Sequence, residues 1–126
     1  MAAAVADWRV ANASDQKMNK DKSGRSPALE FAENPDILAG VSKGAVRPAL
    51  VVGFAAETQD VVAHAQAKLA RTGADWIVGN DVSGDVMGGL RNTVHIVSAQ
   101  GVESLPDLPK GDVAKALVER IIRAFD

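Results

Sequence analysis

The fold is decided by the stretch Arg47-Pro-Ala-Leu-Val-Val-Gly-Phe-Ala-Ala-Glu-Thr58, where an apolar run ends in a glycine-containing segment just before a helix-like pattern. The residues from Ala49 to Gly53 are typical of a buried strand, and those after Gly53 are predicted to form a turn. In open α/β sheets small molecules bind beyond the carboxyl ends of strands, where glycine lets the backbone approach a ligand. This turn is therefore predicted to face a ligand. The alternative is that it only packs a strand against a helix.

Helices and strands alternate in the sequence that follows this turn. Apolar residues recur at helical spacing behind Asp60, and Gly73 is expected to end that helix. The later elements are predicted to be a buried strand at Trp76–Gly79, a glycine-rich loop at 84–91, a strand at Thr93–Ser98, a turn-rich connection at 101–109 and a closing helix of about thirteen residues from Asp112. Such alternation predicts a Rossmann-like, three-layer α/β fold with a parallel or mixed sheet.

The sequence before the deciding stretch is more polar. Residues 10–27 carry many charges and little apolar periodicity, so a loop or flap is predicted there. A short strand is predicted at Ala28–Phe31, and the residues from about 10 to 31 are expected to form an arm. Asn34 is predicted to cap a helix that has Pro35 at its first position and runs toward Gly44.

Composition limits the class of protein. With 126 residues, of which 47% are hydrophobic, the chain is long enough for one compact core. A net charge of −2 argues against the basic surface that nonspecific nucleic-acid binding requires. The absence of cysteine excludes disulfides and thiolate metal sites. Because no signal peptide or run of membrane-spanning length is seen, we expect a cytoplasmic protein that binds neither membranes nor nucleic acid.

Four segments of the chain resemble one known family. They are, in chain order, Met1-Ala-Ala-Ala-Val-Ala-Asp-Trp-Arg9, Lys17-Met-Asn-Lys20, Glu33-Asn-Pro-Asp-Ile-Leu38 and the stretch that contains Gly53. Together they resemble the carboxyl-terminal part of the phosphopantothenoylcysteine synthetase domain, usually the second half of the bifunctional coenzyme A biosynthesis flavoprotein of bacteria. The resemblance extends through Trp76–Val82 and Arg91–Val97, so it runs from Met1 to nearly Asp126.

The resemblance implies a CTP site whose residues are spread along the chain. Lys17 matches a lysine that contacts the nucleotide and supports formation of the acyl-nucleotide, so it is the expected catalytic residue. Asp7 is expected to bind the ribose of the nucleotide or its magnesium ion. The other expected nucleotide contacts are Met1, Ala2, Ala3, Lys20, Pro35, Asp36, Ile37, Leu38, Phe54, Lys68 and Thr72. Asn80 and Asp81 follow a predicted strand and are expected to orient the substrate.

The residue types by themselves leave other roles open. A lysine cluster is usually a solvated face, and an aspartate beyond an apolar run is often a helix cap. Phe54 also suits a core, and the bare helix-start pattern explains Asn34 and Pro35 completely. Asn80 and Asp81 are also common turn residues.

Three positions depart from the family pattern. Asn19 and Thr72 stand where the family commonly has lysine, and Leu90 stands where an acidic residue is expected. The two missing charges favour a weakened nucleotide pocket. Restoring lysine at position 19 or 72 is predicted to tighten triphosphate binding.

The reaction implied by the resemblance joins phosphopantothenate to cysteine. CTP would activate the phosphopantothenate carboxylate as an acyl-CMP, releasing pyrophosphate, and the cysteine amine would then displace CMP. CTP is the implied co-substrate and Mg²⁺ the implied metal, while FMN belongs only to a decarboxylase half that this sequence lacks. Residues 1–126 are expected to be an incomplete, carboxyl-terminal portion of the synthetase domain.

Two other classes of function stay open at this point. One is a nucleotide-binding module without chemistry, and the other is a dimerising fragment without activity of its own. A homodimer is expected because family members dimerise with their flap near the active site. The predicted strand at Ala28–Phe31 would also have an unpaired edge that a second chain can cover.

Overall fold

The structure of the chain is a computed structural model that describes residues 7–11, 30–82 and 91–126. The chain divides into two compact units, one comprising Ala3–Ile37 and the other centred on Leu38–Asp126. Most of the predicted flap falls in residues 12–29 and most of the predicted glycine-rich loop in residues 83–90, which lie outside the described residues.

The described part of the first unit is a two-stranded ribbon. Strand β1 (Trp8–Val10) pairs antiparallel with β2 (Phe31–Glu33). A backbone bond of 2.7 Å from Asn34 N to Asp7 O continues the pairing. One edge of the predicted strand is therefore paired within the chain by β1, and its other edge has no partner strand among the described residues. Strand β1 could not be predicted from the sequence, because three residues are too few to show an alternating pattern.

The second unit is built around a mixed four-stranded sheet. The helices and strands from α1 onward are, in chain order, α1 (Ile37–Lys43), β3 (Val52–Glu57), α2 (Val61–Thr72), β4 (Trp76–Asp81), β5 (Arg91–Asn92), β6 (Val94–Ser98), β7 (Gly101–Ser104), β8 (Leu108–Pro109) and α3 (Lys110–Ala124). The strand order is β3-β4-β6-β7. The β3 and β4 strands are parallel, and the other two pairings are antiparallel. Strands β5 and β8 form a separate antiparallel pair.

Helices cover both faces of this sheet. Successive residues of a strand point to opposite faces, so Ile77 and Val78 belong to different cores. Ile77 packs with Leu38 of α1 and Ala65 of α2, whereas Val78 packs in the cluster that contains Val113 of α3. This arrangement confirms the three-layer α/β fold.

Strand β3 begins later than the sequence indicates. The predicted strand was Ala49–Gly53 with a turn after it, but β3 runs from Val52 to Glu57, so the predicted turn is itself strand. The preceding residue, Val51, is tied to Asp75: its N–H donates to Asp75 Oδ2 at 2.8 Å, and its carbonyl accepts from Asp75 N at 2.9 Å. Arg47 holds Asp75 through a 2.8 Å ion pair. This network places Val52 opposite Trp76 and so sets where the parallel pairing starts.

Gly53 serves the packing of α1 against the sheet. An added Cβ there would lie 2.5 Å from Leu38 Cδ2 and 3.0 Å from Ile77 Cδ1. Because real Cβ atoms do not approach other atoms this closely, the glycine allows α1 to sit directly on the sheet. The close approach of α1 supports the packing alternative for this glycine, and the ligand-facing role stays a prediction.

The helices follow the sequence more closely. Helix α2 is flanked by Asp60 and by Gly73, whose φ of 78° lies in the left-handed region that suits glycine as a helix end. Helix α1 begins at Ile37, two residues after the predicted start at Pro35, although it ends next to Gly44 as expected. Asn34 lies three residues before the first residue of α1 and so is not at the predicted cap position, and its Oδ1 accepts a hydrogen bond from Arg9 at 3.2 Å.

Candidate functional site

The carboxyl ends of the parallel strands β3 and β4 place polar side chains together at one end of these two strands. In the parallel register Glu57 is the neighbour of Asp81, and Ala56 is the neighbour of Asn80. Both predicted substrate-orienting residues are thus the last residues of β4 and do not lie in a following turn. The Asn80 Oδ1 atom is buried and has no hydrogen-bond partner among the residues that the structure describes. A buried acceptor of this kind is costly unless something else satisfies it.

Lys68 is hydrogen-bonded to the backbone of Phe54 on β3. Lys68 of α2 donates a 2.7 Å hydrogen bond from Nζ to the carbonyl oxygen of Phe54. Phe54 is 44% exposed although it lies in the middle of a strand, so it is not a core residue. An ammonium has three donors, so the bond to Phe54 leaves two for another partner. The structure therefore brings together these two predicted nucleotide-binding residues.

Thr72 lies in a different environment. Its side chain is completely buried, and its hydroxyl donates to Lys68 O at 2.8 Å and accepts from Ala74 N at 3.4 Å. These contacts fasten the end of α2 and leave the side chain no surface for a ligand. The nucleotide contact expected of Thr72 stays a prediction that this burial does not favour.

The segment Pro35–Leu38 divides between surface and core. Pro35, Asp36 and Ile37 are exposed, but the Leu38 side chain is buried against the sheet. Among these four, only the first three have side chains at the surface. A contact of Leu38 with nucleotide would therefore have to involve its backbone.

Asp7 is exposed at the start of the ribbon. Its carbonyl accepts the hydrogen bond from Asn34 N, which leaves the carboxylate clear of the ribbon's backbone pairing. Among the described residues, no group of three or more His, Asp or Glu side chains is arranged to hold a metal ion. Met1, Ala2, Ala3, Lys17 and Lys20, which complete the predicted site, lie outside the described residues.

Sequence reasoning missed a contact between two titratable side chains at the end of β3. His64 Nδ1 lies 3.3 Å from Glu57 Oε2, and both side chains are partly exposed. Glu57 belongs to the deciding stretch, but its approach to His64 depends on β3 extending as far as residue 57.

No helix in the part of the chain described here has the length and apolar character needed to cross a membrane.

Comparison with known proteins identifies the family. The family model for the DNA/pantothenate metabolism flavoprotein C-terminal domain matches residues 1–125. The chain belongs to this family. The flavoprotein C-terminal domain family thus accounts for nearly the whole sequence, and the resemblance drawn from the motifs is confirmed.

Relatives of this flavoprotein domain are bifunctional proteins. The chain is 38% identical over 121 residues to the "Coenzyme A biosynthesis bifunctional protein CoaBC" of Vibrio cholerae serotype O1, covering 94% of this chain and 30% of the relative. It is also 38% identical to the protein of the same name from Haemophilus influenzae, covering 98% of this chain and 30% of the relative. The chain therefore spans about three tenths of the length of these relatives.

Solved structures of the flavoprotein domain support the fold. A crystal structure of the C-terminal domain of CoaBC matches with a TM-score of 0.64 and 31% identity, covering 94% of this chain and 50% of that one. The DNA/pantothenate metabolism flavoprotein from Streptococcus pneumoniae matches with a TM-score of 0.63 at 21% identity, covering 84% of this chain and 45% of that one, which speaks for the fold alone.

Proposed function

We propose that this chain is the CTP-binding portion of a phosphopantothenate–cysteine ligase in coenzyme A biosynthesis. The main support is membership of the flavoprotein C-terminal domain family over residues 1–125, with relatives that carry coenzyme A biosynthesis in their names. In the proposed reaction the phosphopantothenate carboxylate attacks the α-phosphorus of CTP and pyrophosphate leaves. The cysteine amine then attacks the acyl carbon of the acyl-CMP, and CMP leaves.

Lys68 and Phe54 carry the structural part of this proposal. Hydrogen bonding to Phe54 O holds the Lys68 ammonium against the backbone of a residue whose ring is exposed, and in this proposal the cation contacts a phosphate while the ring stacks on the base. Stacking of a base on an aromatic side chain contributes about 1–3 kcal/mol. A charged hydrogen bond to phosphate is worth a similar amount, about 1.5–3 kcal/mol. Together they form a small nucleotide-binding surface.

Asn80 and Asp81 are proposed to orient the acyl substrate or the incoming amine. The buried Asn80 Oδ1 is an acceptor without a partner in the described part of the chain, and an amide or ammonium N–H would satisfy it. The neighbouring Glu57 and Asp81 make this edge acidic, which suits an amine better than a second phosphate.

The remaining contacts are proposed from the family resemblance. Lys17 and Lys20 would neutralise phosphate charge, Met1–Ala3 would offer backbone groups to the nucleotide, and Pro35–Ile37 would line its site. Asp7 suits Mg²⁺, because this ion prefers oxygen ligands and is usually held by one or two carboxylates together with substrate phosphates. When bound, magnesium would reduce the negative charge that phosphate groups present to the attacking carboxylate.

Calorimetric titration of the chain with MgCTP tests the nucleotide assignment. We expect saturable binding, weakened about tenfold or more by Lys68→Gln because a charged hydrogen bond is lost. Lys115→Gln removes the same charge at an exposed position of α3, away from Phe54, and should leave the affinity unchanged. Absence of saturable CTP binding, or equal binding by the Lys68→Gln variant, would contradict the proposed site.

A homodimer is the second part of the proposal, and the ribbon supports it. The register places three apolar residues, Trp8, Val10 and Phe31, on the same face of the ribbon, together with Glu33, which lies opposite Trp8. Trp8 is 59% exposed and Phe31 is 63% exposed. A two-stranded ribbon with an uncovered apolar face is only marginally stable alone, so a second ribbon from another copy would stabilise it.

Light scattering during size-exclusion chromatography tests this assembly. The double variant Trp8→Thr/Phe31→Thr keeps side chains that suit strands but removes the apolar face, so we expect the dimer of the parent chain to become a monomer. Val102→Thr, at an exposed position of β7, is the matched control and should remain dimeric. A monomeric parent at tens of micromolar, or an unaffected double variant, would refute the dimer.

A further inference from the structure

A cleft of ≈ 480 Å³ lies between the sheet and the last turns of α3. Its apolar lining comes from Trp76 of β4, Ile96 of β6 and Val102 of β7. The remaining lining residues are Ser98, Gln100, Gly101, Glu103, Arg120, Arg123 and Ala124. This volume falls within the range of pockets that hold small molecules, about 300–1,000 Å³.

The cleft is separate from the candidate nucleotide site. Trp76 is the first residue of β4, whereas Asn80 and Asp81 are its last two. Because a strand rises about 3.3 Å per residue, Trp76 and Asp81 are roughly 16 Å apart along the strand. Any ligand of this cleft therefore lies toward the opposite end of β4 from the proposed chemistry.

A bidentate ion pair forms one wall of the cleft. Arg120 Nε donates to Glu103 Oε1 at 2.6 Å, Arg120 Nη2 donates to Glu103 Oε2 at 2.5 Å, and Arg120 Nη1 donates to Ala116 O at 2.9 Å. These hydrogen bonds lower the pKa of Glu103 and raise the pKa of Arg120, so both groups are charged at neutral pH. Their charges offset each other, and the guanidinium is held in place.

Arg123 supplies the remaining charge. It lies close enough to Glu103 to help lower the pKa of that carboxyl, after the larger effect of Arg120. The lining as a whole contains two arginines and one carboxylate. The lining therefore carries one excess positive charge. The carboxyl end of α3 contributes roughly half a negative charge nearby, which reduces this excess without cancelling it.

The flat group in the lining is the Trp76 indole. Trp76 is partly buried against the apolar cluster on the α3 side of the sheet, and its ring N–H has no hydrogen-bond partner among the described residues. An aromatic ring stacks well on an indole face, and a carboxylate pairs well with a guanidinium. We propose that this cleft binds a small aromatic monocarboxylate, with its ring on Trp76 and its carboxylate on Arg123.

Titration with benzoate, followed by the indole N–H signal in nitrogen-15 NMR spectra, tests the proposal. The chain has two tryptophans, and Trp8→Phe at an exposed position leaves Trp76 as the single indole reporter. In this background we expect benzoate at low salt to shift the Trp76 signal saturably. Arg123→Gln should weaken binding by about fivefold, the upper end for an exposed charge pair. Benzyl alcohol, which has the ring without the charge, should bind more weakly by a similar factor.

Lys115→Gln is the control for this experiment, because it removes a positive charge from α3 outside the cleft lining and should leave the benzoate affinity unchanged. The backbone spectrum of each variant shows whether it remains folded. The proposal is overturned if benzoate does not shift the Trp76 signal, or if Arg123→Gln and Lys115→Gln bind benzoate equally. Equal binding of benzyl alcohol and benzoate would also overturn it, because the carboxylate would then have no role.

Discussion

The variant Gly53→Ala tests whether the absence of a side chain at this position allows α1 to pack on the sheet. The new Cβ would lie 2.5 Å from Leu38 Cδ2, 3.0 Å from Ile77 Cδ1 and 3.3 Å from Leu38 Cδ1. Ile77 is fully buried and Leu38 is 8% exposed, so neither side chain can turn away into solvent. Overpacking of a core costs about 1–3 kcal/mol, and the clash with a methyl group at the end of a side chain favours the lower half of this range.

We therefore expect Gly53→Ala to lower the free energy of unfolding by about 1.5 kcal/mol. With a urea m-value of about 1.5 kcal/mol/M, the unfolding midpoint should fall by about 1 M. Gly40→Ala is the matched control, since its Cβ would meet nothing within 4 Å and helix α1 favours alanine. That control should unfold at the same or a higher urea concentration.

The double variant Leu38→Ala/Gly53→Ala sharpens this test. Leu38→Ala alone leaves a cavity and should cost about 2–4 kcal/mol. Adding the Gly53 methyl group beside that cavity should cost less than it does in the parent, so the two effects should not add. A Gly53→Ala variant as stable as the parent, or strict additivity in the double variant, would refute the packing of Leu38 on Gly53.

Three further predictions concern other residues. Thr72→Lys should destabilise the chain by at least about 2 kcal/mol, because it introduces an ammonium at a completely buried position. Thermal unfolding measures this effect. Unchanged stability would show that position 72 is accessible, as the family pattern suggested. Glu103→Gln should lower stability by about 0.5 kcal/mol at pH 7, the size of an exposed ion pair. Since the pKa of Glu103 is lowered from 4.5 in the folded chain, this difference should be present above pH 4.5 and vanish as the pH falls through the folded pKa; an equal difference in urea unfolding at pH 3 would contradict it. Lys17→Gln, in a longer chain that includes the rest of the synthetase domain, should slow phosphopantothenate-dependent pyrophosphate release at least tenfold, and unchanged release would exclude Lys17 from catalysis.

The sequence alone determined the features that depend on neighbouring residues. Gly73 ends α2 because the left-handed conformation at a helix end favours glycine, and this holds whatever packs nearby. The apolar runs that became β4 and β6 identify buried strands because few other structures tolerate them. The family was also recoverable from sequence, because its motifs occur in the same order along the chain and the family match spans residues 1–125.

Only the tertiary structure decided features that depend on residues far apart in sequence. The start of β3 is set by Asp75, which lies 24 residues beyond Val51 and satisfies its backbone N–H. The residues of β7 were predicted to belong to a turn-rich connection because they show no apolar alternation. In the structure all four of them are exposed. They form a strand because β6 offers them an unpaired edge.

The same reason explains the outcome at the candidate site. Lys68 and Phe54 came together because the crossover from β3 to α2 lays the helix back against the strand, bringing Lys68 Nζ within 2.7 Å of Phe54 O. Thr72 is only four residues from Lys68, yet its side chain is completely buried, and its hydroxyl is bonded to Lys68 O and Ala74 N. Spacing along the chain predicts which residues share an element, but burial and partners depend on what that element packs against.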